Sequence, residues 1–344
     1  MQEFAEKRKV PGVPAGLLRD QVTGYPGLDD QIAIIMVLFW PTGQGSLTQL
    51  SLRWLMAIGC EGPCWFLFVL EEARTGSLSG VMLKMILLGW LWQTAGAGVL
   101  LPMYCLWNLC MRSESQIDQD IGNRNPRIIS LLQNCFAVFF LLLFCVMALP
   151  APQIVSYLFR QQMTIMGQLW YLYATAAVGF LYFMQKNAQP DERRVKYAVT
   201  AKLRGAYYFA FICSTIPHVV LILTSFAVTL LPFAGLEKYR GDLHLSQVFT
   251  LAFPWSAPPV ESVEEGLLRF LQWDDFVGGA CMLLWSIALY IRRCEQERVH
   301  ITYPAVWMEA LASSVIFGPF ATAISFLRER NEVQLRALEE SKEE

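Results

Sequence analysis

The chain has 344 residues and a mass of 39.1 kDa, with 55% hydrophobic residues and only 16% charged ones. Ordinary soluble domains carry about 25% charge, so this composition excludes a disordered chain or a coiled coil and leaves too few charges to cover a soluble globule. A net charge of −2 and a pI near 6.0 provide no basic footprint for nucleic acid.

The first 25 residues lack a continuous apolar core, so no secretory signal peptide is expected. The run Ile32–Trp40 ends at Pro41 and is about half the length of a membrane span, which suits a short tilted span or a re-entrant piece. Seven stretches then reach the roughly 20 mostly apolar residues that a spanning helix needs. They are Leu52–Leu70, Val81–Leu109, Ile128–Leu149, Met163–Met184, Tyr207–Phe233, Phe276–Ile291 and Ala305–Leu327. None shows the alternation of a membrane barrel strand. The expected fold is all-α, a polytopic membrane helix bundle of seven long spans plus a short N-terminal helix. Residues 1–30 form a polar segment, 31–327 a single transmembrane domain and 328–344 a charged, solvated helical tail.

Lys and Arg concentrate after the second, fourth and sixth long spans, at Arg112, Arg124 and Arg127, at Lys186–Arg204, and at Arg292, Arg293 and Arg298. The positive-inside rule places those loops in the cytosol and the tail in a lumen. Most of the nine cysteines lie inside spans, where thiols act as small apolar residues. The three histidines, at 218, 244 and 300, are scattered, so no metal site is expected. No P-loop, dinucleotide fingerprint or nucleophile elbow occurs, and no cofactor is implied.

Charge at membrane depth costs on the order of 2.5 kcal/mol or more, so the few acidic residues there are informative. Glu61 lies mid-span in Gly59-Cys60-Glu61-Gly62-Pro63, where the proline frees a carbonyl and the distortion admits water or a polar partner. Glu71, Glu72 and Arg74 close the same helix, and Asp274 and Asp275 open the sixth long span. The topology lets those two acidic pairs meet at one depth. Structural readings stand beside the functional ones: Asp274 and Asp275 complement a helix dipole, and Glu71 with Arg74 shares a helical face as an ion pair. His218, next to Pro217, reads as a polar residue in a kinked helix or as a site residue. Trp90 and Trp92, beside Gln93, with Trp170, Tyr171 and Tyr173, suit either lipid packing or an apolar, cation-stabilising cavity.

At these residues the sequence resembles the fungal integral-membrane terpene cyclases. Leu70-Glu71-Glu72-Ala73-Arg74-Thr75-Gly76-Ser77 is similar to their Glu-Ser-x-Arg-x-Gly-Asn element. Gln272-Trp273-Asp274 matches a Gln-(Trp/Tyr)-Asp element opening a late span. Gly27-Leu28-Asp29-Asp30-Gln31 followed by Phe39-Trp40-Pro41 resembles an N-terminal element. Departures are Ser77 for Asn, Glu72 for Ser and Gln44 for an acidic residue.

The resemblance implies proton-initiated opening and cyclisation of an epoxidised prenyl chain on a prenyl-phenol or indole-diterpene intermediate, without metal. It implies an enzyme of the endoplasmic reticulum whose partners are an apolar substrate and membrane lipid, with no obligate protein partner. In that reading Asp274 donates the proton, while Glu71, oriented by Arg74, tunes it. Glu61, Asp29, Gln272, Trp273, Trp92, Gln93 and His218 then line the substrate. A carboxyl that protonates an epoxide has to keep its proton near neutral pH, which burial or a second carboxylate favours. The main rival from another class is a polytopic transporter of a small apolar or organic-anion substrate, which duplicated halves and broken helices would favour. A seven-helix receptor fits the span count without a recognisable charged switch triplet.

Overall fold

The computed structural model describes residues 13, 21–43, 48–73, 78–111, 126–184, 192–231, 236–253, 255 and 258–340, the side chains of 126–127, 192–198 and 338–340 excepted. Among the described residues all regular secondary structure is helical. Five helices are long and apolar enough to cross a membrane: Thr48–Glu72, Leu78–Ala95, Ile128–Met147, Val199–Leu230 and Val263–Gln296. Ala97–Met111 and Trp170–Met184 are shorter apolar helices.

The apolar stretches do not map one to one onto helices. Val81–Leu109 is two helices, Leu78–Ala95 and Ala97–Met111, parted at Gly96, whose φ of 80° disfavours a side chain. Ala305–Leu327 is likewise Tyr303–Phe317 and Pro319–Glu340, parted at Gly318 with φ 94°. Window hydropathy does not register such breaks, because one glycine or proline hardly changes the mean of an apolar run. The run from Ile32 belongs to a 14-residue helix, Pro26–Phe39, with proline at its start. The expected solvated tail begins as a packed helix instead. In Pro319–Glu340, the residues Phe326, Leu327, Arg330, Asn331, Gln334 and Leu335 are buried at helical spacing along one stripe.

The chain folds as two compact units, each assembled from three chain segments. The first comprises Met1–Ile58, Val138–Trp170 and Val220–Trp273. Here Ile32, Met36 and Trp40 pack against Val13, Tyr157 and Ile165. Trp54 stands edge-on to Phe39 at 5.2 Å and tilted against Phe144 at 5.8 Å. Arg53 donates to the Val248 carbonyl, and Gln49 to the Gln247 carbonyl at 3.2 Å, so buried polar groups dock the Leu245–Phe249 helix on Thr48–Met56.

The second unit comprises Gly59–Ala137, Tyr171–Val219 and Asp274–Glu344. Its aromatic packing includes Phe66 stacked on Phe136 at 5.5 Å and Phe68 stacked on Tyr104 at 3.7 Å. Trp285 closes the second group edge-on to both Phe68 and Tyr104, and its indole N–H donates to Asn108 Oδ1 at 3.0 Å. A further cluster joins Ile287, Val306, Ala310 and Phe326. Every residue of Gly62–Glu72 is buried, which makes this helix a central element of its unit.

Candidate functional site: two groups of buried carboxyls

Two groups of acidic side chains sit along the Gly62–Glu72 helix of the second unit. At its C-terminal end Glu71 Oε1 accepts from the Tyr207 hydroxyl at 2.8 Å and from Arg330 Nη2 at 2.7 Å. Both members of the Glu71–Arg330 ion pair are nearly sealed, at 3% and 4% exposure. Glu72 Oε1 accepts from the Tyr104 hydroxyl at 2.9 Å, and its Oε2 pairs with Lys84. Each glutamate thus has a cation and a phenol as partners. Buried charge so arranged is costly to disturb, because removal of one partner strands the other. Arg74, expected to orient Glu71, lies outside the described residues.

The other group forms where the backbone leaves regular α-geometry. The spanning helix Thr48–Glu72 contains a π-helical turn at Ala57–Glu61. Such turns widen a helix by one residue and aim side chains differently from their α-helical neighbours. Opposite it, Pro217 interrupts the 39-residue helix Glu192–Leu230 and cannot donate to the carbonyl of Cys213. Gly59 abuts both the Pro217 ring and that carbonyl, while Cys60 Sγ donates to the Ser214 carbonyl at 3.3 Å. The proline-bearing helix and the π-turn therefore meet at Gly59 and Cys60, next to Glu61.

Glu61 is buried, and its Oε1 has no hydrogen-bond partner among the described residues. Asp274 and Asp275 lie within electrostatic reach of it, and no cation pairs with it among those residues. Asp274 is itself engaged: Oδ2 accepts the Ala97 amide at 3.0 Å and Oδ1 the Gly98 amide at 2.6 Å. It thereby caps the helix that begins after the Gly96 break, where free amides and the helix dipole attract a carboxylate. A Cβ at position 98 would stand 2.6 Å from Asp274 Oδ1 and 3.2 Å from its Cα, so only glycine permits this approach. The structure brings Asp274 and Asp275 to Glu61, whereas the contacts drawn to Glu71 come from Tyr207 and Arg330.

The remaining sequence candidates are dispersed. Asp29 accepts the amides of Val22, Thr23 and Gly24 and the Thr23 hydroxyl, which fastens the chain ahead of the Pro26–Phe39 helix. The Thr23 amide leads the interactions that hold its carboxyl below the ordinary aspartate range. Gln272 is buried and Trp273 donates its indole N–H to the Ala252 carbonyl at 3.0 Å, both in the first unit. Trp92 and Gln93 are half-buried on Leu78–Ala95. His218 is buried, with Nε2 3.3 Å from the Val315 carbonyl and its ring packed where a Cβ on Gly318 would stand. Among the described residues no group of three His, Cys, Asp or Glu has the arrangement to hold a metal ion.

Arg330, Tyr207, Tyr104 and Lys84 were not singled out by the sequence as partners of the acidic pair. For Arg330 the signal was present: it falls on the same helical stripe as Leu327 and Leu335, inside a charged stretch. Tyr207 and Tyr208 read together as interfacial aromatics, yet the first is buried and the second exposed.

The CtvD domain model matches residues 1–335 of this chain. Terpene cyclase verU1 of Penicillium polonicum is 32% identical over 331 residues, covering 96% of this chain and 86% of that protein. The chain belongs to the CtvD-domain family of fungal terpene cyclases. Terpene cyclase penA of Penicillium crustosum is 29% identical over 324 residues, covering 91% of this chain and 84% of its own. Terpene cyclase ctvD of Aspergillus terreus is 24% identical over 339 residues, covering 96% and 91%. No solved structure matches the chain. These relatives match along nearly the whole length of the chain.

Proposed function

We propose that this protein is a membrane-embedded cyclase that opens an epoxidised prenyl chain, on a prenyl-phenol or indole-diterpene intermediate, by proton transfer from Glu61. The observation that carries the assignment is the contrast in partners. Glu71 and Glu72 are held by cations, Asp274 by two backbone amides, and Glu61 has an oxygen that accepts nothing among the described residues. An acid that donates a proton has to be buried without a neutralising cation, and Glu61 meets that requirement better than Asp274 or Glu71. The names of the relatives support terpene cyclisation as the reaction class.

The step balances without a co-reactant. Glu61 gives its proton to the epoxide oxygen, the C–O bond at the tertiary carbon breaks, and that oxygen leaves as a hydroxyl on the same molecule. An alkene or an internal hydroxyl attacks the resulting cation, and the proton released on ring closure returns to the carboxyl group. Asp274 and Asp275 stabilise the positive charge by proximity, and a water-poor surround keeps the cation from hydrolysis. Seven spans with a shorter N-terminal helix, residence in the endoplasmic reticulum and cytosolic placement of the basic loops complete the proposal.

The test is Glu61→Gln in the full chain, assayed in microsomes with an epoxidised prenyl-phenol. Loss of cyclised product at unchanged protein level supports the assignment, and full activity removes Glu61 from it. A second reading is favoured by one observation: helices broken at Gly96 and Gly318 also occur in transporters, where they line ion and substrate sites. Flux of a labelled organic anion in proteoliposomes, with no cyclised product from the epoxide, would select the transporter.

A further inference from the structure

The first unit contains a buried cation that no acidic side chain pairs with among the described residues. Arg160, on the Tyr157–Gly167 helix, is 1% exposed. Its guanidinium lies over the Trp40 ring, 4.3 Å from the ring centre, and Nη2 donates to the Trp40 carbonyl at 2.6 Å. Nε and Nη1 are buried with no hydrogen-bond partner among the described residues, and so is the indole nitrogen of Trp40. All of these unused groups are N–H donors.

Burial pushes the Arg160 guanidinium down to about 10, so it stays charged at neutral pH. The acidic side chain of the same unit nearest in motif, Asp29, is spent on residues 22–24. A sealed, unpaired guanidinium is expensive unless an anion reaches it. Gly43 lies directly against the guanidinium, since a Cβ there would stand 2.5 Å from Nη2.

We propose that Arg160 and the indole N–H of Trp40 form a binding site for an ionised oxygen group, a carboxylate in the first instance, carried on the aromatic head of the prenylated substrate. The proposal deepens the proposed function and rests on it for the prenyl tail of the ligand. Arg160 is a binding residue in this scheme: it would hold the charged head of the ligand. A guanidinium with an indole N–H selects an anion over a neutral ester because the ester offers weaker acceptors and no charge.

Binding is measured without turnover, by calorimetry on the full chain in phosphatidylcholine nanodiscs. The probes are 3-geranyl-4-hydroxybenzoate and its methyl ester. The acid should bind at least about tenfold more tightly than the ester, as expected of a charge-assisted hydrogen bond. Arg160→Gln should erase that preference, Arg160→Lys should restore part of it, and ester binding should stay unchanged. Should Arg160→Gln fail to fold, Gly43→Ala displaces the guanidinium and should lower the preference as well. Equal binding of acid and ester to the unaltered protein overturns the proposal. Discs containing phosphatidic acid are the second arm: benzoate binding lost there but present in phosphatidylcholine assigns the site to a lipid headgroup and also overturns the proposal. Because no cyclisation is read, an inactive Glu61→Gln protein that still prefers the acid separates this site from the proton donor.

Discussion

At the C-terminal end of the Gly62–Glu72 helix each glutamate meets a cation and a phenol; just before its N-terminal end Glu61 meets two aspartates and leaves an oxygen without a donor. The two groups are alike in residue type, burial and chain origin. They differ in what the partner elements bring. Lys84, Tyr104, Tyr207 and Arg330 arrive from four separate helices and make the first group a fastening between them. The second group is organised by backbone irregularities: a π-turn, the Pro217 interruption and the helix break at Gly96. Paired buried charge holds a bundle together, whereas an unpaired buried carboxyl is held at a cost in stability.

Four substitutions break or sharpen this contrast. The largest effect belongs to Glu61→Gln: cyclised product should fall by about 10²–10⁴-fold, the usual contribution of a general acid, while thermal unfolding in detergent barely moves. Arg330→Met should do the reverse to the molecule, costing about 3–5 kcal/mol of stability by leaving Glu71 buried and unpaired. The double change Glu71→Gln with Arg330→Met should recover most of that loss, as followed by unfolding midpoints.

Asp274→Asn comes next. An amide still accepts one of the two backbone N–H groups, so stability should fall by only about 1 kcal/mol, in the range of a weakened helix cap. Product formation should drop less than in Glu61→Gln; an equal drop would return the donor role to Asp274. The smallest effect is expected for Arg204→Ala. Its bidentate pair with Glu332, at 2.6 Å, is half-exposed on the arginine side, and such pairs contribute about 0–1 kcal/mol.

Much of the candidate site was legible in the sequence as a short list of acidic residues. Glu61, Glu71, Glu72, Asp274 and Asp275 stand out because charge is rare in apolar runs. Their grouping was not legible. Glu71 and Asp274 share motif-like surroundings, so sequence reasoning joins them, yet the folded chain gives Arg330 to Glu71 and two amides to Asp274. Arg330 escaped notice because a stretch of Arg, Glu and Asn reads as solvated until its buried face is seen. The same limit applies to helix count. Gly96 and Gly318 look like ordinary small residues of apolar spans, and only their positive φ reveals that the helix stops and restarts there.

The sequence by itself determined that the chain is helical and apolar enough to cross a membrane, that its acidic residues at depth are few, and that its motifs resemble fungal terpene cyclases. Those properties are additive along the chain: run lengths, composition and the order of short elements. The tertiary structure decided which buried charges are neutralised, where long runs break, and that Arg160 stands over Trp40 with donors unused among the described residues. These depend on contacts between residues far apart in the chain, and the energy of a buried charge is set by its neighbours rather than by its own identity.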